Sequence, residues 1–422
     1  MAVIDLRVII CEVPAGTLHQ DAAGLPSFRY DDAYAGMPLS LTMPVSNRIY
    51  RHDVVRPYLF GLLPDDERQR RAIATEHEVS ANNPVALLDH IGLDCPGGVQ
   101  FCRPERLAAT LAREGEYRPL TEHEVAEKLA SLRSDADATW MGTGESWSLG
   151  GNQGKFALAW HDGAWCECLG SSPTTHIFKN GVAGYRLEAL DEYVCMKCAQ
   201  ACGIATANVD YRAFEDQPAL IVTRYDRALN ATGDVIRLHQ EDLCQALGVM
   251  PSMKYTSDGG PTTHDVLSLL AATSHPAENL EAFTWMLFFN YLIGAPDAHA
   301  KNYSLLFGRS DNVLLAPLYD VASGLPYENA RGTTHLAMAI GGENRVGRVG
   351  KEAVRRYAQG LEPTGPCEDA CRAIMCELAR RIPDVMASVL DEARELPGTD
   401  ELGIRLLDPI AKNCSTTLAM LR

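Results

Sequence analysis

The apolar stretch around Trp285–Ala295 constrains this chain more than any other feature. It is about half the roughly 20 residues that a membrane-spanning helix needs, so it reads as a helix of a buried core. Gly294 ends that helix, and the string that follows directly, Ala295-Pro296-Asp297-Ala298-His299-Ala300-Lys301-Asn302, is polar and charged. A strand pattern, Tyr303–Phe307, begins at once. A charged loop thus sits where a core helix delivers it.

The rest of the chain is long enough to build such a core. Its 422 residues allow two or three domains of about 150 each. With 46% hydrophobic and 22% charged residues it reads as an ordinary globular protein, and its Gly and Pro show no collagen-like period. Asp5 and Arg7 interrupt any export signal, so the expectation is a soluble, cytoplasmic protein with no membrane contact. The 38 Lys and Arg against 55 Asp and Glu leave a net charge of −17, which repels a polyanion. By itself this chain is a poor binder of DNA. Its 13 cysteines, an odd number, suit reduced thiols better than a disulfide framework. Cys195, Cys198 and Cys202 fall at i, i+3, i+7, one buried helix stripe, and we read them as core packing; Cys166, Cys168, Cys367, Cys371 and Cys376 receive the same reading.

Along the chain, Ala2–Val13 reads as one strand, and helices follow at Val54–Leu63 and Val85–Ile91. Thr121-Glu122-His123-Glu124 is a capping box opening a helix to about Leu132. Ser134–Gly151 is turn-rich and marks a boundary. Strands at Phe156–Trp160, Trp165–Leu169, Thr175–Lys179 and Ala219–Tyr225 surround a helix near Glu188–Cys202, and helices dominate after Gln240. The expectation is an α+β chain with an N-terminal α+β subdomain (1–133), a β-rich part (134–239) and a mainly helical C-terminal lobe (240–422).

Asp297 and Asn302 are five residues apart, the spacing by which a kinase catalytic loop places a carboxylate on the acceptor hydroxyl and a carboxamide oxygen on Mg²⁺. One hairpin downstream, around Ser310-Asp311-Asn312, Leu318-Tyr319-Asp320 supplies a second metal-binding carboxylate. Upstream, Gly150-Gly151-Asn152-Gln153-Gly154-Lys155 fails as a Walker A loop, because Leu149 and Phe156 stand where a glycine and a Ser or Thr belong. It fits a Gly-rich loop that covers phosphates from a strand pair. Lys179, at the end of its strand, is the candidate phosphate-pairing ammonium.

Together with Ser172-Pro173-Thr174-Thr175-His176, Arg224-Tyr225-Asp226-Arg227, His239-Gln240-Glu241-Asp242 and Lys254-Tyr255-Thr256-Ser257-Asp258-Gly259-Gly260-Pro261, these strings make the chain resemble, over essentially its full length, the HipA toxins. These are bacterial serine/threonine kinases of toxin–antitoxin modules. Pro38-Leu39-Ser40-Leu41 and Leu62-Leu63-Pro64-Asp65 look like the family's smaller subdomain. The resemblance implies a two-lobed protein kinase-like fold, with ATP and Mg²⁺ as cofactors. It makes Asp297 the catalytic base, Asn302 and Asp320 the metal ligands, and Lys179 the phosphate lysine. Gly150–Lys155 would cover ATP, while Thr223, Arg224 and Tyr225 would meet the adenine, with His299 and Tyr319 beside the nucleotide. Lys301 would stabilise charge on the transferred phosphoryl group. Ser148 matches the serine that relatives autophosphorylate to inactivate themselves. Two departures stand out, Thr223 where known members carry Glu, and Gly154 where Pro or Glu is frequent.

The implied substrate is a translation component, glutamyl-tRNA synthetase by analogy, and the implied partner is a HipB-like helix-turn-helix antitoxin through which alone the chain would reach operator DNA. Two other readings stay open: a small-molecule phosphotransferase of the same fold, and a kinase-shaped co-repressor. The His239–Asp242 string reads as the capped first turn of a helix.

Overall fold

Residues 2–134, 141, 144–182, 184–308, 312–327 and 335–422 are described by a computed structural model. Residues 135–140, 142 and 143 of the expected Ser134–Gly151 connection, and Ser310 and Asp311 of the expected hairpin turn, lie outside these residues. The chain divides into two units: 1–180 with 213–252 and 306–311, and 181–212 with 253–305 and 312–422.

In the first unit the expected single strand over Ala2–Val13 is a hairpin. Strands Ile4–Ile10 and Val13–Gln20 pair antiparallel, and Cys11 and Glu12 turn between them with φ of 46° and 67°. Two left-handed residues are what a tight hairpin turn demands, and the absence of Asn-Gly hid the turn from the sequence. The sheet continues in the order Ile49–Tyr50, Pro26–Tyr30, Val13–Gln20, Ile4–Ile10, Val99–Cys102. Its inward residues, among them Leu6, Val8, Phe28 and Tyr30, pack on Tyr58 and Leu59 of helix His52–Gly61 and on Leu87 and Leu88 of helix Pro84–Ile91. A further helix, Glu67–Glu76, begins at Asp66, whose carboxylate accepts the N–H of Arg68 at 2.8 Å.

A second sheet of this unit runs Gln217–Thr223, His176–Lys179, Phe156–His161, Ala164–Gly170, Gly115–Pro119, each neighbour antiparallel. Phe178 stacks on Phe156 with centroids 5.1 Å apart, and helix Glu122–Ser134 covers this core with Val125, Ala126 and Leu129. The capping box forms as expected: Thr121 N–H donates to Glu124 Oε2 at 2.8 Å, and Glu124 N–H to Thr121 Oγ1 at 3.2 Å.

The His239–Asp242 reading is corrected in part. Gln240–Asp242 is a short strand, and only Asp242 caps, opening helix Leu243–Ala246 with Gln245. His239 and Glu241 are buried: His239 Nε2 lies 3.0 Å from the Leu39 carbonyl, and Glu241 Oε1 accepts the N–H of Leu41 at 2.8 Å. These contacts explain why Pro38–Leu41 accompanies this string.

Burial sets both protonation states. It pushes the Glu241 carboxyl up from 4.5 to about 8 and the His239 imidazole down from 6.5 to about 4. The raised carboxyl favours the fold below its ordinary pKa and loses that contribution as pH rises through about 8; the lowered imidazole favours the fold above 6.5. Between about 6.5 and 8 the carboxyl alone of this pair titrates on unfolding, so stability should fall as pH rises there. Thermal melts of wild type and Glu241→Gln across this window check it. The variant should show the shallower decline, and parallel curves would remove Glu241 as the cause.

The second unit is mainly helical: Glu188–Ala201, Thr263–Ala271, Pro276–Ile293, Lys351–Gln359, Glu368–Glu392 and Thr399–Met420. Cys195, Cys198 and Cys202 are buried, as are Cys371 and Cys414. The core reading of Cys367 is corrected: it is exposed at the N-cap of Glu368–Glu392, and Cys376 is half-buried. Among the described residues no helix is long and apolar enough to cross a membrane.

Candidate active site

Helix Pro276–Ile293 is buried through Phe283, Leu287, Phe288, Phe289 and Leu292. Gly294 stops it with φ 68°, where a Cβ would stand 2.7 Å from Leu325, and the Ala295 N–H reaches back to the Asn290 carbonyl at 2.8 Å. Asn413 donates to the last carbonyls, those of Tyr291 at 3.0 Å and Leu292 at 2.9 Å. The exit of the chain toward Asp297 is therefore fixed at both the turn and the helix end.

The five-residue spacing then closes the loop on itself. Asn302 Nδ2 donates to the Asp297 carbonyl at 2.8 Å, and so does the His299 N–H at 2.8 Å. With its nitrogen so engaged, the Asn302 carboxamide offers Oδ1 to a ligand. Tyr319, expected at the nucleotide, uses its hydroxyl as a brace, pairing with Ser304 Oγ at 2.7 Å and donating to the Lys301 carbonyl at 2.9 Å. Lys301 and Asn302 lie in the 3₁₀ turn Ala300–Asn302, both buried. Asp320 holds a left-handed φ of 58° just after Tyr319. Three residues on, the Ser323 N–H meets Asp191 Oδ1 at 3.4 Å, and the Cys195 thiol meets the same oxygen at 3.2 Å. Full burial pushes the Asp191 carboxyl up to about 7, although both contacts oppose it. Sequence reasoning missed Asp191, which looks like any residue in the first turn of a helix.

The residues expected to bind phosphate belong to the first unit. Gly151 has φ 100°, a conformation that favours glycine, and Lys155 Nζ donates to the Gly150 carbonyl at 2.8 Å. The loop leans on the N-terminal region: Asp65 N–H donates to the Gly151 carbonyl at 3.0 Å and Gln69 Nε2 to that of Asn152 at 3.3 Å. Gln153, Lys155 and Ser148 line one cavity with Gln69 and Ile73 of helix Glu67–Glu76. Ser148 is 1% exposed, and its N–H donates to the Asp94 carbonyl at 3.0 Å. Lys179 is buried at the end of its strand, opposite Leu220, and Thr223 pairs with His176.

The Arg224-Tyr225-Asp226-Arg227 string supplies side chains to an ion network. Arg224, Arg227 and Arg237 surround Asp94, with Asp226 pairing Arg224 and Arg227, and all five side chains are at most 6% exposed. Asp94 Oδ1 accepts from Arg237 Nε at 2.8 Å and Arg227 Nη2 at 2.9 Å; its Oδ2 accepts from Thr174 Oγ1 at 2.7 Å. Burial raises the Asp94 carboxyl, but the three guanidiniums outweigh it and hold the group well below the usual carboxylate range. The Arg224 guanidinium is thus committed to this network, and the Tyr225 hydroxyl donates to Gln240 Oε1. These bonds hold both side chains within the unit.

The family of HipA-like C-terminal domains matches residues 147–386, and that of HipA N-terminal domains matches 6–102. A putative kinase, Y4mE, of Sinorhizobium fredii is 32% identical over 388 residues, covering 90% of each chain. The serine/threonine-protein kinase toxin HipA of Shewanella oneidensis is 31% identical over 416 residues, 94% of this chain and 91% of that one. A solved structure from Shewanella oneidensis, of HipA with HipB and its operator DNA, superimposes with a TM-score of 0.83 at 26% identity and covers 98% of both chains.

Proposed function

The chain belongs to the HipA family of serine/threonine kinase toxins, and from that premise we propose that it transfers the γ-phosphoryl group of ATP to a hydroxyl of a bacterial protein and thereby arrests growth. The observation that carries this reading is the closed Asp297–Asn302 loop, whose main chain is tied while the Asp297 side chain stays 61% exposed. An acceptor hydroxyl hydrogen-bonded to Asp297 is oriented at the phosphorus and gives up its proton to the carboxylate as the new O–P bond forms and ADP departs. Lys179 and the N–H groups of the Gly150–Lys155 loop would bind phosphate oxygens, and Lys301 would offset charge on the transferred group. Asn302 and Asp320 are hard oxygen donors that suit Mg²⁺; when bound it would supply neutralisation of the phosphate charge.

The buried position of Ser148 supports self-inactivation by phosphorylation. A dianionic phosphate cannot remain at a site that is 1% exposed, so the modified loop would leave for solvent and withdraw its donors from ATP. The substrate we favour is a translation component, glutamyl-tRNA synthetase by family analogy. With a net charge of −17, DNA binding would need a basic HipB-like antitoxin to supply the phosphate contacts. The expected setting is the cytosol.

Incubation with γ-labelled ATP and cell lysate tests the reading. Label should enter one lysate polypeptide and the chain itself only when Mg²⁺ is present, mass spectrometry should find the chain's own phosphate on Ser148, and Asp320→Ala should lose both signals. Absence of label from all protein would end the kinase-toxin proposal, and an unmodified Ser148 would end the self-inactivation part of it.

A further inference from the structure

A carboxylate that is 61% exposed is free to sample several rotamers, whereas a base must keep one oxygen toward the acceptor. Main-chain bonds hold the Asp297 backbone but not its side chain. Among the described residues, the hydrogen-bond donor that meets this carboxylate is the hydroxyl of Tyr255, at Oδ1. The Tyr255 ring stands edge-on to His299, with centroids 4.8 Å apart and planes at 80°, and His299 Nε2 lies 3.7 Å from the same Oδ1. Oδ2 is left for the acceptor.

Tyr255 is itself held by an unusually confined turn. The N–H groups of Asp258 and Gly260 donate to its carbonyl at 3.1 and 3.0 Å, and Thr256 Oγ1 donates to the Pro261 carbonyl at 2.7 Å. Gly259 has φ 85°, and a Cβ on Gly260 would fall 1.7 Å from the Met253 carbonyl oxygen and 2.8 Å from that of Tyr255. Such a turn accepts only glycine at these places, and what it presents is the tyrosine. This gives a physical reason for the Lys254–Pro261 string, for which spacing and composition offer none.

We propose that Tyr255 is the positioning residue of the base: its hydroxyl fixes the Asp297 rotamer through Oδ1, so that Oδ2 meets the acceptor hydroxyl. The proposal rests on Asp297 being that base. Tyr255→Phe keeps the ring against His299 and removes only the hydroxyl. Turnover at saturating ATP, read as label transferred from Mg·ATP to total lysate protein, should fall on the order of tenfold. The KM for ATP should stay within about twofold and the melting temperature should not move, because the hydroxyl acts on the acceptor side of the reaction. Gly260→Ala, which leaves the hydroxyl present but displaces its turn, should reproduce the loss of turnover. In an Asp297→Asn background, adding Tyr255→Phe should cost nothing further. Wild-type turnover in Tyr255→Phe would overturn the proposal, as would a loss explained by a raised KM for ATP or a lowered melting temperature. Faster turnover would overturn it too, since the tyrosine would then be blocking the acceptor's place. Full transfer by Asp297→Asn alone would remove the base assignment beneath it.

Discussion

Asp297→Asn should abolish growth arrest and lower phosphoryl transfer by about 10²–10⁴-fold while the protein stays folded. The carboxylate is solvent-exposed and its structural bonds are made by its main-chain carbonyl, to Asn302 Nδ2 and the His299 N–H, which an amide side chain leaves untouched. An asparagine can still accept the Tyr255 hydroxyl. What it cannot do is take a proton as the acceptor oxygen attacks, so the loss should fall on turnover and spare ATP binding. Circular dichroism, ATP titration and label transfer on the same preparation separate these effects. A folded Asp297→Asn protein that transfers phosphate at the wild-type rate would refute the role of this residue.

Asp94→Ala should be the most destabilising single change in the first unit, by about 3–5 kcal/mol, because it removes one partner of a buried ion network and leaves the others in place. Arg224 and Arg227 would then share Asp226 alone and Arg237 would keep only the Ser171 carbonyl, in an environment where all of these side chains are at most 6% exposed. Thr174 would lose the acceptor of both its hydroxyl and its N–H. For a unit of this size the cost corresponds to a fall of roughly 6–20 °C in melting temperature. Lys128→Ala supplies the contrast. It removes a cation whose head group pairs with Glu167 at 2.6 Å and Glu145 at 3.4 Å, but Arg118 also pairs with Glu167 and Trp147 Nε1 donates to Glu145 at 3.1 Å, so the loss is partly covered. Equal melting temperatures for wild type and Asp94→Ala would show that the network does not hold the unit together.

What could be read from the sequence was local. Thr121 and Glu124 announce a helix start because the bonds that make the box span three residues. Asp297 and Asn302 announce a loop because the bond that closes it spans five. The hairpin at Cys11-Glu12 is equally local but carries no such signal, since neither residue is a usual choice for a left-handed turn. The exposure of Cys367 is not legible either, because helical spacing says which residues share a face but not whether that face begins inside the core.

By itself the sequence determined the family, the helix that stops at Gly294, the five-residue loop and the strand that carries Lys179. Each follows from backbone preferences and short spacings that hold in any surroundings. Only the tertiary structure decided that Arg224 serves Asp94 across 130 positions, that Arg237 reaches the same carboxylate across 143, and that Tyr255 meets Asp297 across 42. It also decided that Glu241 and Asp191 are buried with raised pKa values while Asp297 faces solvent. The worth of a charge is set by how much water its neighbours exclude and which charges stand beside it. Both quantities exist only once distant segments have packed, and no window of sequence contains them.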